Sequence, residues 1–349
     1  MQNPFSLSFG KEPASFIERP LQTNEITEAF TSEAPPYQVC MITGLRGSGK
    51  TVCLTTVSNE LRRLPDWIVI DLNPERNMLH MLAAALSSRP ELHQIFKDAK
   101  LNLSLFGIGF EIDQEPPVTD VVVALDSMLD RLTKKNKKIL ITVDEAVSNQ
   151  NIREFASQFQ IFMRNNYHVF MLMTGLYQNI HELQNEKTLT FLYRAPKVEL
   201  KPLNIGLISE QYQRIFSLDK KEALDMAMVT KGYPYAFQVL GYLCYKENKG
   251  YKDVLSTFDA YLEDYVYDKI WSELSALDKQ VIAAVCKAQG THVRDIRQVC
   301  GFDSSLFSVY RKRLLKKGLI TASEYGHLEM TLPRFEVFVE NDPAAGLKF

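Results

Sequence analysis

The sequence predicts an α/β core with a mainly parallel sheet, followed by a helical domain and a small C-terminal module of three helices and a hairpin. Short apolar runs typical of buried strands alternate with helical stretches as far as Lys201-Pro202, where the strand signal ends. Because strands that alternate with helices are joined by right-handed crossovers, this order predicts a three-layer domain built on a parallel sheet.

Five apolar runs are the candidate strands. They are Val39–Ile42, Trp67–Ile70, Ile139–Val143, His168–Met173 and, more weakly, Lys197–Leu200. Residues 1–36 form an arm that leads into a short helix at Glu25–Phe30, and residues 37–202 form the α/β domain. Alternating apolar residues around Gly107 predict an inserted β-hairpin at 101–112, either as an edge hairpin or as a docking accessory.

The remainder of the chain divides into two helical regions. Residues 203–271 are tyrosine-rich and predict a helical lid, with tyrosines that line its core rather than a stacking platform. In residues 272–349, a capping box at Ser275 and Asp278 begins a helix that ends at Ala288. The later elements are a helix at Val293–Val299, a helix from Asp303 or Ser304 to Gly318, and a hairpin made by Leu319–Ala322 and His327–Thr331. This order predicts a winged helix-turn-helix domain.

The composition is that of an ordinary globular protein. The 349 residues are 46% hydrophobic and 23% charged, and the net charge of −2 excludes a globally basic nucleic-acid coat. The five cysteines show no C-x-x-C spacing, which excludes a zinc ribbon and favours a reducing, cytoplasmic location. No apolar run approaches about 18 residues and the N-terminus lacks a signal-like pattern, so we expect neither export nor a membrane partner.

The most specific motif is Gly44-Leu45-Arg46-Gly47-Ser48-Gly49-Lys50-Thr51, which satisfies G-x-x-x-x-G-K-[ST] between a predicted strand and a predicted helix. Glycines allow consecutive main-chain N–H groups to point into one concavity and allow phosphates to approach closely. Lys50 supplies a charge to the β/γ-phosphates, and Thr51 offers a hydroxyl to Mg²⁺. Residues Gly44 to Val52 therefore predict a site for ATP or ADP with Mg²⁺.

Two adjacent acids, Asp144 and Glu145, follow the candidate strand Ile139–Val143. Asp144 can bind Mg²⁺, while Glu145 can orient and deprotonate the water that attacks the γ-phosphate. Asp71, after Trp67–Ile70, is a rival metal ligand, but its strand lacks the second acid that a water-activating site needs.

Thr174 and Arg194 are further catalytic candidates, each with an alternative interpretation. Thr174 ends an apolar run at the carboxyl edge of the predicted sheet, where it either senses the γ-phosphate or caps a turn with Gly175. Arg194 either reaches the nucleotide of a neighbouring subunit or forms a surface ion pair.

Positive charge is concentrated near the C-terminus. Residues 294–317 contain seven basic residues and two acids. The candidate DNA contacts on the predicted recognition helix are Ser304, Ser305, Ser308, Arg311 and Arg313. Neutralising about four phosphates would give a slope of about −3.6 for log affinity against log salt, whereas a flat response would indicate protein docking instead.

These residues resemble the AAA+ and STAND-type P-loop ATPases, and among them the origin-recognition-like clade, which joins an ATPase core and a helical lid to a winged helix. The resemblance covers almost the whole chain, from Phe16-Ile17-Glu18-Arg19, similar to the clade's N-terminal box near the adenine, to the winged helix. It implies that residues 44–51 are the Walker A motif and that Asp144 and Glu145 are the Walker B motif.

The resemblance also implies roles for single residues. Thr174 falls at the sensor 1 position, and Arg194 falls near the arginine finger of AAA+ rings, which implies a homo-oligomer. Gly232-Tyr233-Pro234-Tyr235 stands where origin-type loaders carry a sensor 2 arginine, and it resembles the G-x-P motif of STAND ATPases. In that family the turn that contains the proline, here Pro234, couples the lid to the nucleotide, and hydrolysis resets a switch.

The sequence therefore predicts a protein that binds ATP and hydrolyses it slowly to ADP and phosphate, and whose nucleotide state controls a DNA-binding winged helix. The alternative is an interaction switch in which the winged helix binds a protein partner and no DNA. A small-molecule kinase is disfavoured by the adjacent acids and by the absence of an evident acceptor pocket in the sequence.

Overall fold

The computed structural model describes residues 2–8, 13–98, 102, 119–288, 292–322 and 324–341. The hairpin expected at 101–112 lies outside these residues, apart from Asn102. The chain forms two compact units. The sheet unit comprises Pro20–Thr43 and Lys50–Glu199, and the lid unit comprises Met1–Arg19, Gly44–Gly49 and Leu200–Phe349.

A parallel sheet is the centre of the sheet unit. Within the described residues it has five strands in the order β2-β3-β4-β1-β5, and each pair of neighbours is parallel. The strands are β1 Val39–Thr43, β2 Trp67–Leu72, β3 Lys138–Val143, β4 Val169–Gly175 and β5 Lys197–Glu199. The five predicted strands and their parallel pairing are confirmed.

Helices pack on both faces of this sheet. They are α1 Pro20–Thr31, α2 Lys50–Arg62, α3 Met78–Ser87, α4 Pro90–Asp98, α5 Val121–Lys134, α6 Gln150–Arg164, α7 Tyr177–Gln184 and α8 Thr190–Tyr193. Successive strand residues point to opposite faces. Phe170 packs against Phe30 of α1, with ring centroids 5.2 Å apart, and its neighbour Met171 is buried in the cluster that contains Phe159 of α6.

Local capping explains where several of these helices begin. The side chains of Asn77, Asp120 and Asn149 accept hydrogen bonds from N–H groups in the first turns of α3, α5 and α6. Such caps satisfy N–H groups that have no partner within the helix. In the described part of the chain, no helix combines the length and the apolar character needed to cross a bilayer.

The lid unit contains the predicted helical region. The fully described stretch 203–271 holds no strand, and its elements are α9 Ile205–Phe216, α10 Lys220–Val229, α11 Pro234–Glu247, a 3₁₀ turn Tyr251–Val254, α12 Leu255–Leu262, a π-helical turn Glu263–Tyr267 and α13 Asp268–Ser272. Tyr212, Tyr233 and Tyr267 are buried in its core, as expected, whereas Tyr265 is exposed.

The N-terminal arm is part of this core. Phe5 is buried and stacks on Phe216, with ring centroids 5.7 Å apart. Its ring lies against Gly241 of α11, where an added Cβ would come within 2.5 Å of Phe5 Cδ1. Gln238 holds the arm at two further points, because it accepts from Ser6 N–H and donates to the Ser15 carbonyl.

The C-terminal module, residues 276–341, contains the predicted three helices and hairpin. Its elements are α14 Ala276–Lys287, α15 Val293–Cys300, α16 Ser304–Lys317, β6 Ile320–Thr321, β7 Glu329–Met330 and α17 Phe335–Asn341. The capping box of Ser275 and Asp278 is present. Gly301 and Gly318 end α15 and α16 in the left-handed conformation, with φ of 71° and 75°. The strands β6 and β7 are shorter than expected, and α17 was not predicted.

Candidate functional site

Asp144 is the centre of a hydrogen-bonded cluster at the carboxyl edge of the sheet. Because β3 and β4 are parallel, with Val143 beside Met173, the residues that follow Val143 and Met173 come together. Thr51 Oγ1 donates to Asp144 Oδ2 at 2.8 Å, and Thr174 Oγ1 donates to Asp144 Oδ1. The structure thus brings together three residues that the sequence predicted for metal binding and catalysis.

Glu145 follows Asp144 in a left-handed backbone conformation, with φ of 53°. Its N–H group donates to Asp144 Oδ1 and to Thr174 Oγ1, both at 3.1 Å. A left-handed conformation is unfavourable for a residue with a Cβ, so these bonds stabilise it. The Glu145 side chain is exposed.

The donor set of the cluster fits a hard cation. Thr51 offers a hydroxyl oxygen and Asp144 a carboxylate, and oxygen ligands of this kind suit Mg²⁺. Lys50 and Val52 lie in the same first turn of α2 as Thr51. Asp71, the rival ligand, instead pairs with Arg62 at 2.7 Å and accepts from Thr142 Oγ1 at 2.5 Å. Arg194 is exposed at the end of α8.

The segment Gly44–Gly49, here called the phosphate loop, belongs to the lid unit. Gly47 and Gly49 have φ of 73° and 88°, which residues with a Cβ rarely adopt. The Ser48 hydroxyl is buried and has no hydrogen-bond partner among the described residues, so it is a spare donor inside the loop. Alternating left-handed glycines and a spare hydroxyl fit an anionic ligand.

Three residues of the lid unit lie against the phosphate loop. Tyr233 Oη donates to the carbonyl oxygen of Arg46, and a Cβ at Gly47 would overlap this hydroxyl. Pro234, the proline of the predicted G-x-P turn, begins α11, and its Cγ lies 3.9 Å from the position of a Cβ at Gly49. Arg19 Nη2 donates to the carbonyl oxygen of Ser48 at 3.3 Å.

The same loop contacts the region that leads into the C-terminal module. Arg46 pairs with Glu273 at 3.6 Å, just beyond α13. The side chain of Leu45 packs against Gly318, the residue that ends α16, with its Cγ 3.5 Å from the position of a Cβ there. One short loop therefore touches both α11 and the end of α16.

The candidate DNA contacts divide into two groups. Ser304, Ser305 and Ser308 are exposed on α16. Arg313 is held within the module, because its Nε donates to the buried Asp278 at 2.7 Å and its Nη2 to Ser275 at 2.7 Å. Arg311 is half-buried, and its Nε has no hydrogen-bond partner among the described residues.

Sequence reasoning assigned no contact to Tyr233 or Arg19, and it counted Lys312 and Lys316 in the basic segment without placing them among the candidate DNA contacts. Tyr233 and Arg19 stand inside motifs that the resemblance identified, but nothing in those motifs shows which main-chain atoms they bind. Lys312 and Lys316 are exposed on the same face as Ser308, at spacings of four residues. A count of helical spacing from Ser308 would have found both.

Comparisons with known proteins identify one matching sequence family and several similar structures. A sequence family described as a domain of unknown function, DUF8462, matches residues 264–339. No curated protein matches the sequence. The Walker-type ATPase of Pyrococcus abyssi is similar in structure with a TM-score of 0.67 and 15% identity, over 95% of this chain and 98% of that chain.

The ORC2 protein of Aeropyrum pernix, in its ADPNP-ADP complexes, is also similar, with a TM-score of 0.58 and 13% identity over 95% of this chain and 94% of that one. Its ADP form gives a TM-score of 0.50 and 13% identity, with 96% of each chain covered. The chain has the fold that the Walker-type ATPase of Pyrococcus abyssi and the ORC2 protein of Aeropyrum pernix share.

Proposed function

We propose that the protein binds ATP, hydrolyses it slowly with Mg²⁺, and uses its nucleotide state to control DNA binding by a winged helix formed by the C-terminal module. One observation carries the proposal: the phosphate loop packs against Gly318 at the end of α16 through Leu45 and bonds Tyr233 of the lid through Arg46. A ligand that reorders this loop therefore changes contacts made by α16.

The residues divide the chemistry among themselves. Main-chain N–H groups of the phosphate loop and the Lys50 ammonium bind the phosphates, while Thr51 and Asp144 hold Mg²⁺. Bound Mg²⁺ supplies positive charge to the phosphate oxygens. Glu145 orients a water and takes its proton, and Thr174 keeps the Asp144 carboxylate in place through its hydroxyl.

Two substitutions test the site. Lys50→Ala removes the charge that binds the phosphates and abolishes nucleotide binding in calorimetry. Glu145→Gln keeps binding and loses turnover in a phosphate-release assay, because an amide cannot accept the proton. Unchanged hydrolysis in both variants would refute the assignment.

DNA contact is proposed for the exposed face of α16. The serines at its N-terminal turns, Ser304, Ser305 and Ser308, lie beside Lys312 and Lys316, and residues 294–317 have seven basic residues against two acids. Of the two arginines predicted to contact DNA, Arg313 is paired with the buried Asp278 and Arg311 is half-buried, so the exposed lysines carry the charge of this face. Lysines on a helix face bind phosphates, and short polar side chains reach base edges.

DNA affinity measured at two salt concentrations, with ADP and with a non-hydrolysable ATP analogue, tests this assignment. We expect a slope of about −3.6 for about four phosphate contacts, and a difference between the two nucleotides. Lys312→Gln with Lys316→Gln reduces the slope, whereas the exposed Lys135→Gln, on the sheet unit, leaves it unchanged. Equal affinity with both nucleotides would contradict nucleotide control.

The second candidate function is a nucleotide-gated protein-interaction switch. Leu306 and Val309 on α16 are 38% and 62% exposed, and apolar side chains on a recognition face also suit a protein partner. A salt-independent interaction with no DNA binding would favour this function. In a ring of subunits, the exposed Arg194 would contact the nucleotide of the neighbouring subunit. The mass of the ATP-bound protein in solution tests whether such a ring forms.

A further inference from the structure

Two carbonyl groups of the phosphate loop accept hydrogen bonds from side chains outside it. Tyr233 Oη donates to the carbonyl of Arg46, and Arg19 Nη2 donates to the carbonyl of Ser48. In a trans peptide unit the C=O of one residue and the N–H of the next point in opposite directions within one plane. The two bonds therefore set the directions of the N–H groups of Gly47 and Gly49.

These two N–H groups are available to a ligand. Neither Gly47 nor Gly49 donates its N–H to an acceptor among the described residues. Between them, the Ser48 N–H is used inside the loop, since it donates to the carbonyl of Leu45 at 3.2 Å. Main-chain N–H groups presented by left-handed glycines bind anions.

We propose that Tyr233 and Arg19 are positioning residues of the phosphate loop. They hold the carbonyls of Arg46 and Ser48 on the outer side of the loop, and so present the N–H groups of Gly47 and Gly49 to the oxygens of a polyphosphate. This inference rests on the proposed nucleotide binding, and it identifies which peptide units the lid and the N-terminal arm orient.

Tyr233 suits this role chemically. Its hydroxyl is buried, and burial raises the pKa of Tyr233 well above its ordinary value, so the group stays a neutral donor at any working pH. A neutral donor orients the carbonyl without adding a charge that depends on pH. Arg19 Nη1 also donates to the carbonyl of Lys201 at 2.6 Å, which anchors the guanidinium while Nη2 holds Ser48.

Tyr233→Phe tests the proposal, because it removes one hydroxyl and keeps the ring. The matched control is Tyr212→Phe, which removes a tyrosine hydroxyl that donates to the carbonyl of Phe237 at 2.8 Å, within the lid core. Calorimetric titration with inorganic tripolyphosphate and with ATP is carried out on the full chain well below the unfolding temperatures. Arg19→Gln is the second variant.

We expect both tyrosine variants to unfold at somewhat lower temperature, and only Tyr233→Phe to bind tripolyphosphate and ATP about five- to tenfold more weakly. The loss is the same for the two ligands, because the loop contacts phosphates only, and it does not change with pH. Arg19→Gln gives a comparable loss, and the two losses multiply in the double variant, because each residue orients a separate peptide unit.

Three results would overturn the inference. They are equal binding by Tyr233→Phe and wild type, tighter binding by Tyr233→Phe, which would make the hydroxyl an inhibitory latch, and a loss for ATP alone, which would place Tyr233 at the base. In each of these cases the proposed function still holds, provided that the wild type binds ATP and Lys50→Ala abolishes that binding. If the wild type itself binds neither ligand, the proposed function fails together with the inference.

Discussion

Gly47 is constrained by backbone and by packing at once. Its φ is 73°, and an added Cβ would overlap the Tyr233 hydroxyl and lie 3.1 Å from Tyr235 Cβ. Gly301 has nearly the same φ, 71°, and no atom of the described residues lies within 4 Å of such a Cβ. The pair separates the cost of a left-handed backbone from the cost of a steric clash.

We predict that Gly301→Ala lowers the free energy of unfolding by about 1 kcal/mol, the cost of a left-handed alanine. Gly47→Ala lowers it further and also abolishes nucleotide binding, because Tyr233 must move away from the loop. Urea unfolding and ATP titration measure both effects. Equal loss of stability in the two variants would show that the Tyr233 side chain can move away from Gly47 at little cost.

The Thr174 hydroxyl both donates to Asp144 and accepts from the Glu145 N–H. Thr174→Val keeps the shape and removes the hydroxyl, so we predict a loss of about 1–2 kcal/mol in the free energy of unfolding and a strong loss of ATP turnover. Thr174→Ser restores the hydroxyl and most of both quantities. Equal turnover in the valine and serine variants would count against a role for the hydroxyl.

At the scale of elements, the N-terminal arm and α11 depend on each other through Phe5 and Gly241. Phe5→Ala removes a buried ring, and we predict a loss of about 3 kcal/mol. Gly241→Ala raises helix propensity yet destabilises the protein, because the new methyl group displaces the Phe5 ring. Thermal unfolding decides the sign. Stabilisation by Gly241→Ala would mean that Phe5 is not seated in the lid core.

In α16, neighbouring basic residues have different roles. Arg313 pairs with the buried Asp278, whereas Lys312 is exposed. We predict that Arg313→Gln lowers the free energy of unfolding by roughly 2 kcal/mol, since it leaves a buried carboxylate with weaker partners, while Lys312→Gln leaves it within about 0.5 kcal/mol. DNA affinity falls more for Lys312→Gln than for Arg313→Gln, provided that Arg313→Gln is assayed well below its unfolding temperature. A larger loss of DNA affinity for Arg313→Gln would reverse the two roles.

At the scale of the whole molecule, a ligand that binds only the folded chain stabilises it by an amount that rises with the logarithm of its concentration above the dissociation constant. We predict that ATP with Mg²⁺, at about 100 times the dissociation constant, raises the free energy of unfolding by about 2.7 kcal/mol. Scanning calorimetry measures the effect as a higher unfolding temperature. Lys50→Ala removes the shift, and an equal shift in that variant would mean that ATP binds elsewhere.

The charge distribution also belongs to the whole molecule. The chain has a net charge of −2, yet residues 294–317 carry a clear excess of basic residues. The counterion release that drives DNA binding depends on local charge, so a nearly neutral protein can still respond strongly to salt.

Local patterns were enough to predict the strands, the first three helices of the C-terminal module, the capping box at Ser275 and Asp278, and the glycine loop. Apolar runs, capping residues and left-handed glycines act within a few positions of the chain, which is why they can be read from the sequence. The meeting of Asp144 and Thr174 was also predictable, because the carboxyl ends of parallel strands share one edge of a sheet.

The partners of the loop carbonyls and of Arg313 were decided by the tertiary structure alone. Tyr233 lies 187 positions from Arg46, and Arg313 lies 35 positions from Asp278. Hydrogen bonds between such distant positions form only when packing brings the segments together, and no local periodicity records that packing. The sequence by itself therefore determined which elements form and where the phosphate-binding motif stands, whereas the tertiary structure decided which side chains orient that motif and which basic residues remain exposed.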